Sequence, residues 1–260
     1  MIRSLYSAAT GMGAQQIKTD VVANNLANAS TTGFKKSRAS FEDLMYRTLL
    51  IAGQTTPGGG QVPTGIQIGM GVKSAGVQKI FTQGDYTETG NQLDFAIQGK
   101  GFFRVAHGDE DLYTRAGNFT LDSEGFITTP AGDRLQPEIS VPPEAISISL
   151  QDDGTLTIFG DQEEILATEN VLVTTFINPA GLFATGQNLF RPTEASGDAV
   201  EGTPGENGAG TTINNWIEMS NVSVVEEMVN MIVGQRAYEA NSKSIQTADS
   251  MLSTANGLKR

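Results

Sequence analysis

Histidine is the first side chain to consider for acid–base chemistry, and the chain has one, His107. It precedes Gly108 in a turn-like stretch, where a lone histidine is usually solvated rather than catalytic. A serine nucleophile would have to share this histidine, and no serine lies in the G-x-S-x-G sequence that positions such a nucleophile in hydrolases. The sequence therefore predicts no nucleophilic catalytic site.

Carboxylates are abundant, with 29 Asp and Glu residues, but they fall mostly in turns. Glycosidases need two carboxylates beside a bound sugar, and no aromatic residues line up here as a sugar platform. The run Asp122–Gly125 lacks the remaining ligands of a calcium loop. The Gly69–Gly71 stretch lacks the Lys and Ser/Thr of a phosphate loop. We therefore expect no catalytic residue, no metal site and no cofactor.

Composition excludes further classes of protein. The chain has no Cys, which rules out disulfides and zinc sites built on Cys. The net charge of −12 disfavours nucleic acid and anionic membranes as partners. No apolar run approaches the ~20 residues of a membrane-spanning helix. The first residues contain no continuous apolar core of a cleavable secretory signal, so export would need another route.

The segment from Ser220 to Arg260 has the longest uninterrupted helical pattern. Ser223 and Glu226 form an S-x-x-E capping box at its start. An apolar residue recurs there at every seventh position, which is typical of a helix packing along another helix. These residues are Val224, Met231, Tyr238, Ile245 and Leu252. Met228 begins a second seam position, whose later members are the polar residues Gln235, Ser242 and Asp249.

Residues 1–29 carry a second helical pattern, with apolar residues at three- and four-residue steps. Gly11 and Gly13 weaken its intrinsic helix propensity, so an isolated helix would be marginal in water. Pairing with the C-terminal helix would stabilise it and would unite the two chain ends in a coiled-coil-like unit. The alternative is two unrelated amphipathic helices on an ordinary core.

Three stretches follow the first helix. Asn24, Asn25 and Asn28 flank its end, where they could cap or bond neighbouring backbone. Residues 34–38 form the one dense basic cluster, which we interpret as a solvated face or a patch for an acidic neighbour in an assembly. Residues 52–76 are rich in Gly and Pro and predict an extended loop or hairpin tip.

From about Val77 the apolar period changes to two, with turn signals between short runs. This spacing favours an all-β sandwich or barrel. Residues 179–212 are again rich in Gly, Pro and Asn and are interpreted as a return path to the C-terminal helix. The fold class predicted is α+β, with a discontinuous pair of terminal helices and a central all-β domain.

Motifs at both ends and in the middle together resemble the rod and hook proteins of the bacterial flagellum. The resemblance runs nearly end to end. The segments that carry it are Asp20–Asn28, Thr32–Lys35, Gly99–Phe103, Tyr113–Phe119, Ser220–Val222, Glu226–Val229 and Gln235–Lys243. The chain length and the segment 46–65 favour the rod branch of this family, its distal type first and its proximal type second, with a hook-type subunit as a further alternative.

The resemblance implies a structural subunit without enzymatic activity. Paired terminal helices would line a helical tube around an export channel, with the β domain outside and the connecting loop against neighbouring subunits. The implied partners are further copies of the chain, other rod subunits, the hook protein, the surrounding ring proteins and the type III export apparatus. Neither nucleic acid nor a small-molecule substrate is implied. The implied location is the basal body, where the rod crosses the periplasm.

Two sets of residues are predicted to make the assembly contacts. The helical set is Ile2, Leu5, Met12, Asn24, Asn25, Leu26, Asn28, Val224, Met228, Met231, Tyr238, Ile245 and Leu252. The loop set is Gly53, Pro57, Pro63 and Gly65. The predicted domains are a helical core of residues 1–30 with 222–260, a connecting region of 31–90 with 190–221, and an outer β domain of 91–189. The competing hypotheses are a secreted glycan-cleaving or cell-wall-binding protein and an adhesin-like module.

Overall fold

The computed structural model describes residues 2–54, 60–61, 63–108, 110–161, 164–206 and 208–257, and the side chain of Ile2 lies outside this description. The chain forms two compact units. The helical unit comprises residues 1–26, 37–78 and 223–260, and the β unit comprises residues 27–36 and 79–222. The α+β class with terminal helices and a central β region is confirmed. The finer division into three regions stays a prediction.

The helical unit contains two long helices, α1 (Ile2–Ala27) and α2 (Val224–Gly257). The backbone N–H of Glu226 lies 3.4 Å from the Ser223 hydroxyl oxygen, so the predicted cap is in place at the start of α2. Glu226 and Glu227 add favourable negative charge to the first turn. With 34 residues, α2 is about 50 Å long.

Four strands complete the helical unit, and they form two pairs. They are β1 (Ser37–Asp43), β2 (Tyr46–Leu50), β3 (Ile66–Gly69) and β4 (Val72–Lys79). Strand β1 pairs with β4, and β2 pairs antiparallel with β3. The predicted loop therefore begins and ends as a two-stranded ribbon. Its tip connects Leu50 to Ile66.

The β unit contains short strands separated by turns. They are β5 (Tyr86–Glu88), β6 (Phe95–Gln98), β7 (Phe103–His107), β8 (Glu110–Thr114), β9 (Thr120–Leu121), β10 (Ile127–Thr128), β11 (Arg134–Gln136), β12 (Ser147–Leu150), β13 (Thr155–Phe159), β14 (Ile165–Asn170), β15 (Val173–Thr175), β16 (Phe183–Gly186), β17 (Leu189–Arg191), β18 (Val200–Gly202), β19 (Thr211–Asn214) and β20 (Trp216–Glu218). A 3-10 turn covers Pro179–Gly181.

A seven-stranded antiparallel sheet is the largest in the β unit, with the order β16-β17-β8-β7-β11-β10-β9. Strands β12, β13 and β14 form a meander, and three strand pairs accompany them: β15–β18, β19–β6 and β20–β5. Residues 179–212, interpreted as a return path, contain strands β16, β17 and β18 and the start of β19, which the sequence did not predict. Turn-forming residues hid β16 and β17, because these strands are only three and four residues long and are joined through Gln187 and Asn188, both at positive φ.

The core of the β unit lies between its sheets. Phe95, Phe103 and Phe119 are buried together with aliphatic side chains such as Val105 and Leu156. The rings of Phe103 and Phe119 meet edge to face at 5.4 Å, an arrangement that aromatic pairs favour. A second aromatic cluster consists of Phe81, Phe102, Tyr113, Phe176, Leu182 and Phe190. Phe95, Phe103 and Phe119 belong to short apolar runs that predicted strands, whereas Leu182 and Phe190 lie in the stretch where the sequence predicted none.

Candidate assembly surface

The helices α1 and α2 lie side by side and run antiparallel. Gly11 of α1 faces Asn241 of α2, whereas Gly234 of α2 faces Gln15 and Thr19 of α1. A Cβ atom on Gly11 would lie 2.9 Å from the Asn241 amide nitrogen. Glycine therefore permits the close approach of the two helices at this level. The predicted pairing of the chain ends is what the structure contains.

The face of α2 that packs in this unit has a seven-residue spacing of small and polar residues. Glu227, Gly234 and Ala248 are buried, and Asn241 between them is half-buried. The predicted residues at the other seam position, Met231, Ile245 and Leu252, are half-buried. Sequence reasoning placed Met228 at a second seam position. In the single chain this side chain is 51% exposed, and its assembly contact stays a prediction. A search for small residues at heptad spacing would have found the correct seam.

The opposite face of α2 is apolar and open to solvent. We call it the outer face and define it as Val225, Met228, Val229, Ile232 and Val233. Their spacing of three and four residues places them on one side of a helix. Each is more than half exposed, from 51% for Met228 to 73% for Val225. A contiguous exposed apolar patch of this kind marks an interaction site in a soluble protein.

The remaining predicted helical residues differ in burial. Leu5, Met12, Leu26 and Asn28 are half-buried, whereas Asn24, Val224 and Tyr238 are exposed. Tyr238 lines a polar groove of about 430 Å³ between α1 and α2. Asn25 is buried, and its amide donates to the Ser37 carbonyl and accepts from the Ser37 N–H, both at 2.8 Å. It thereby holds the start of β1 against the end of α1.

The ribbon of β2 and β3 exposes apolar side chains throughout. Tyr46, Leu49, Ile66 and Ile68 are between 40% and 56% exposed. A two-stranded ribbon is at best marginally stable in water by itself. Of the predicted loop residues, Gly53, Pro63 and Gly65 are exposed, and Pro57 lies outside the described residues. Gly65 is tightly placed, since a Cβ there would lie 2.7 Å from the Leu50 carbonyl oxygen.

A buried ion cluster occupies the β unit. Glu218 is fully enclosed, and its carboxylate accepts from the Lys35 ammonium at 2.5 Å, the Arg115 Nε at 2.5 Å and the Gly84 N–H at 2.8 Å. Lys35 also donates to the Thr82 carbonyl at 2.8 Å. The buried Glu218 carboxylate therefore receives three hydrogen bonds, two of them from cationic side chains.

Arg115 anchors the cluster to the sheet. Its guanidinium also donates to the carbonyl oxygens of Ile97, Gly99 and Gly101 and to the Gln83 side chain, at 2.5 to 2.9 Å. Burial lowers the pKa of Lys35, as does the charge of Arg115, although the Glu218 carboxylate opposes both effects. The cluster therefore joins two cations to one carboxylate within the described part of the β unit.

The sequence interpretation of the basic residues 34–38 was wrong for Lys35. This residue is 2% exposed and pairs inside the chain rather than with solvent or an assembly partner. The error has a physical cause, because the partner lies 183 residues away and no local pattern reveals it. Lys35 and Arg115 each belong to a segment that carried the family resemblance. A search for charged residues inside those segments would have marked both.

His107 lies at the end of β7 and is largely exposed, as its turn context predicted. Its Nδ1 is 2.6 Å from a carboxylate oxygen of Asp133. Among the residues that the structure describes, no group of three or more His, Asp and Glu side chains is placed to hold a metal ion. No helix in the same residues is long and apolar enough to span a membrane.

Comparison with known proteins identifies the family of the chain. Residues 5–35 match the family described as flagella basal body rod protein, and residues 213–258 match the flagellar basal body rod FlgEFG protein C-terminal region. Residues 96–158 match the flagellar hook protein FlgE/F/G D1 domain. The flagellar basal-body rod protein FlgG of Borreliella burgdorferi is 47% identical over the whole of both chains. The chain belongs to the flagellar basal-body rod protein family.

Other relatives agree with this membership. FlgG from a Buchnera aphidicola strain is 46% identical over 97% of this chain and 98% of that protein. FlgG of Bacillus subtilis is 40% identical over the whole of both. The flagellar hook protein FlgE of Borreliella burgdorferi is 38% identical, but the match covers 66% of this chain and 39% of the hook protein. The full-length match is to rod proteins, so this chain is a structural subunit of the flagellar rod.

Proposed function

We propose that the chain is a subunit of the distal rod and polymerises into a stiff helical tube. The tube would transmit torque from motor to hook and enclose the export channel. The observation that carries this proposal is the outer face of α2, an exposed apolar surface of five residues in the first turns of a 34-residue helix. Copies that cover this face for one another would form a tube wall rather than a globule.

The domain roles follow from this arrangement. We place the terminal helices, residues 1–30 with 222–260, at the inner wall and the β domain, residues 91–189, outside it. The α2 residues predicted for assembly then fall into two groups. Met231, Ile245 and Leu252 support the pairing of α1 with α2, and Val224, Met228 and Tyr238 are available to neighbouring copies.

The ribbon of β2 and β3 is proposed to contact neighbouring copies. Contact of the exposed Leu49 and Ile66 side chains with water is unfavourable, so the two strands gain stability when a second surface covers them. The chain assembles with itself and with other rod and hook subunits. Ring proteins around the rod and the type III export apparatus are proposed as further partners. The chain would be exported in an unfolded state to a rod that crosses the periplasm. None of these roles requires catalysis.

Electron microscopy tests the proposal on two samples. One is concentrated purified protein, and the other is basal bodies from cells in which this chain is the sole rod protein of its type. Tubes with a central channel are the expected result. Limited proteolysis provides the matching control, because the ends of the monomer should be cut and the ends of the assembled chain should be protected. A folded protein that stays monomeric at every concentration and is missing from the basal bodies would contradict the proposal.

A further inference from the structure

The segment that follows α1 and the segment that precedes α2 meet at the buried ion cluster. We call residues 28–36 the N-terminal clasp segment and residues 215–222 the C-terminal clasp segment. The first supplies Lys35 and the second supplies Glu218, while Arg115 belongs to the body of the β unit. Each segment thus contributes one charge to a site that water does not reach.

The C-terminal clasp segment bonds to the body of the β unit without help from the N-terminal one. Its strand β20 pairs with β5, and the Met219 N–H donates to the Asp85 carbonyl at 2.8 Å. The Asn221 amide donates to the carbonyls of Ile80 and Thr82 at 2.9 and 3.1 Å. The Glu218 carboxylate also has the Arg115 guanidinium as a partner of opposite charge.

The N-terminal clasp segment bonds both to the body of the β unit and to the C-terminal segment. The Ile80 N–H donates to the Lys36 carbonyl and the Asn188 amide donates to the Thr32 carbonyl, both at 2.9 Å. The Gly33 N–H donates to the Glu218 carbonyl at 2.8 Å, and the Lys36 N–H donates to the Asn221 side chain at 2.7 Å. Among the residues that the structure describes, the carboxylate partner of the Lys35 ammonium is again Glu218. Removing the C-terminal segment would take away these three contacts, including the carboxylate that pairs with Lys35, and would leave the bonds to Ile80, Thr82 and Asn188.

The charges make the docking of residues 28–36 depend on the Glu218 carboxylate. With Glu218 absent, docking of residues 28–36 would bury the Lys35 ammonium beside the Arg115 guanidinium with no carboxylate between them, and two unpaired like charges are not tolerated in a protein interior. With Lys35 absent, Glu218 and Arg115 still form a pair. The balance of charge is therefore asymmetric between the two segments.

We propose that the ion cluster sets the order in which the two segments dock, and we call it the clasp. The C-terminal clasp segment docks first, and Glu218 then makes docking of the N-terminal clasp segment favourable by pairing with Lys35. The N-terminal segment is synthesised first, yet the carboxylate that pairs with its Lys35 is present only when nearly the whole chain has been made. The clasp thereby delays the placement of α1 until the segment preceding α2 is in place. This behaviour belongs to the monomer and holds whether or not the chain forms a tube.

Hydrogen–deuterium exchange of the full-length monomer tests the clasp through three variants. Lys35→Met should speed exchange in residues 28–36 and leave residues 215–222 unchanged. Glu218→Gln should speed exchange in both segments by about 100-fold or more, as expected when one partner of a buried ion pair is removed. The double variant should exchange more slowly than Glu218→Gln in residues 28–36, because it no longer buries two unpaired cations.

The double variant separates the clasp from simple loss of packing, since removing further contacts would not by itself make residues 28–36 exchange more slowly than in Glu218→Gln. Lys100→Met and Glu201→Gln serve as matched controls at exposed or half-exposed positions and should not change exchange in either segment. Two results would overturn the inference. One is equal release of both segments by Lys35→Met, and the other is a double variant that exchanges as fast as Glu218→Gln. If Glu218→Gln alone unfolds the β unit, a folded double variant supports the clasp and an unfolded one contradicts it.

Discussion

Val229 lies in the middle of the outer face of α2, and replacing it by Asp should block assembly without unfolding the monomer. The side chain is 55% exposed in the single chain, so it contributes little to the packing of its own unit. An exposed substitution of this type changes monomer stability by about 0.5 kcal/mol, with up to about 0.7 kcal/mol added by the lower helix propensity of Asp.

The expected loss in assembly is larger. Complete burial of one Val, Ile or Met side chain is worth about 1.5–3 kcal/mol. Covering the exposed half of each outer-face residue therefore gives about 1 kcal/mol apiece, or about 5 kcal/mol for the whole face. Val229→Asp removes one of these contributions and also requires a carboxylate to lose its water. A total loss of about 3 kcal/mol would raise the critical concentration for assembly by roughly 100-fold.

Sedimentation of polymer at a series of protein concentrations measures the critical concentration directly, and circular dichroism checks that the variant monomer has the same spectrum as the unmodified monomer. Gln246→Asp is the matched control, because it introduces the same residue at an exposed polar position of α2. It should assemble like the unmodified protein. Equal critical concentrations for Val229→Asp and Gln246→Asp would refute the assignment of the outer face.

Gly117→Ala should lower the stability of the β unit by about 1–3 kcal/mol, measured as a lower Tm, because the new Cβ would overlap the Phe95 carbonyl. Gly202→Ala, which meets open space, should leave the Tm unchanged, and equal values for both variants would contradict this packing. Leu49→Asp should weaken assembly while the monomer keeps its Tm; a polymer of normal stability would remove the ribbon from the interface. The lowered pKa of Lys35 means that the unfolded chain binds more protons between the folded pKa and 10.5, so this residue makes stability rise with pH in that window. Denaturation by urea across that window should show a smaller rise for Lys35→Met, and an unchanged pH dependence would contradict the shift.

The helices and many strands could be predicted because their patterns are local. The capping box at Ser223 and the heptad of apolar residues located α2, and alternation of apolar residues located strands such as β7 and β13. The seam of α2 was only half predicted, because apolar periodicity does not register Gly234 or Ala248. Small residues pack closely without adding hydrophobicity, so their role becomes visible only with the partner helix in place.

The buried ion cluster could not be predicted from local sequence. Lys35 stands in a basic run that is typical of a solvated surface, and its partner comes from the other end of the chain. Strands β16 and β17 escaped prediction for a different reason, since they are short and are joined by a turn of polar residues. In both cases tertiary contacts override the local preference.

Thiol labelling at Val229 tests the assembly surface most directly, because the chain contains no other Cys to interfere. The Val229→Cys variant should react quickly with a maleimide as a monomer and become strongly protected when the chain is assembled into rods. Ser123→Cys, in an exposed turn of the β unit, provides the control for reagent access and should react in both states. Equal labelling of Val229→Cys in monomer and rod would contradict the claim that neighbouring copies cover the outer face of α2.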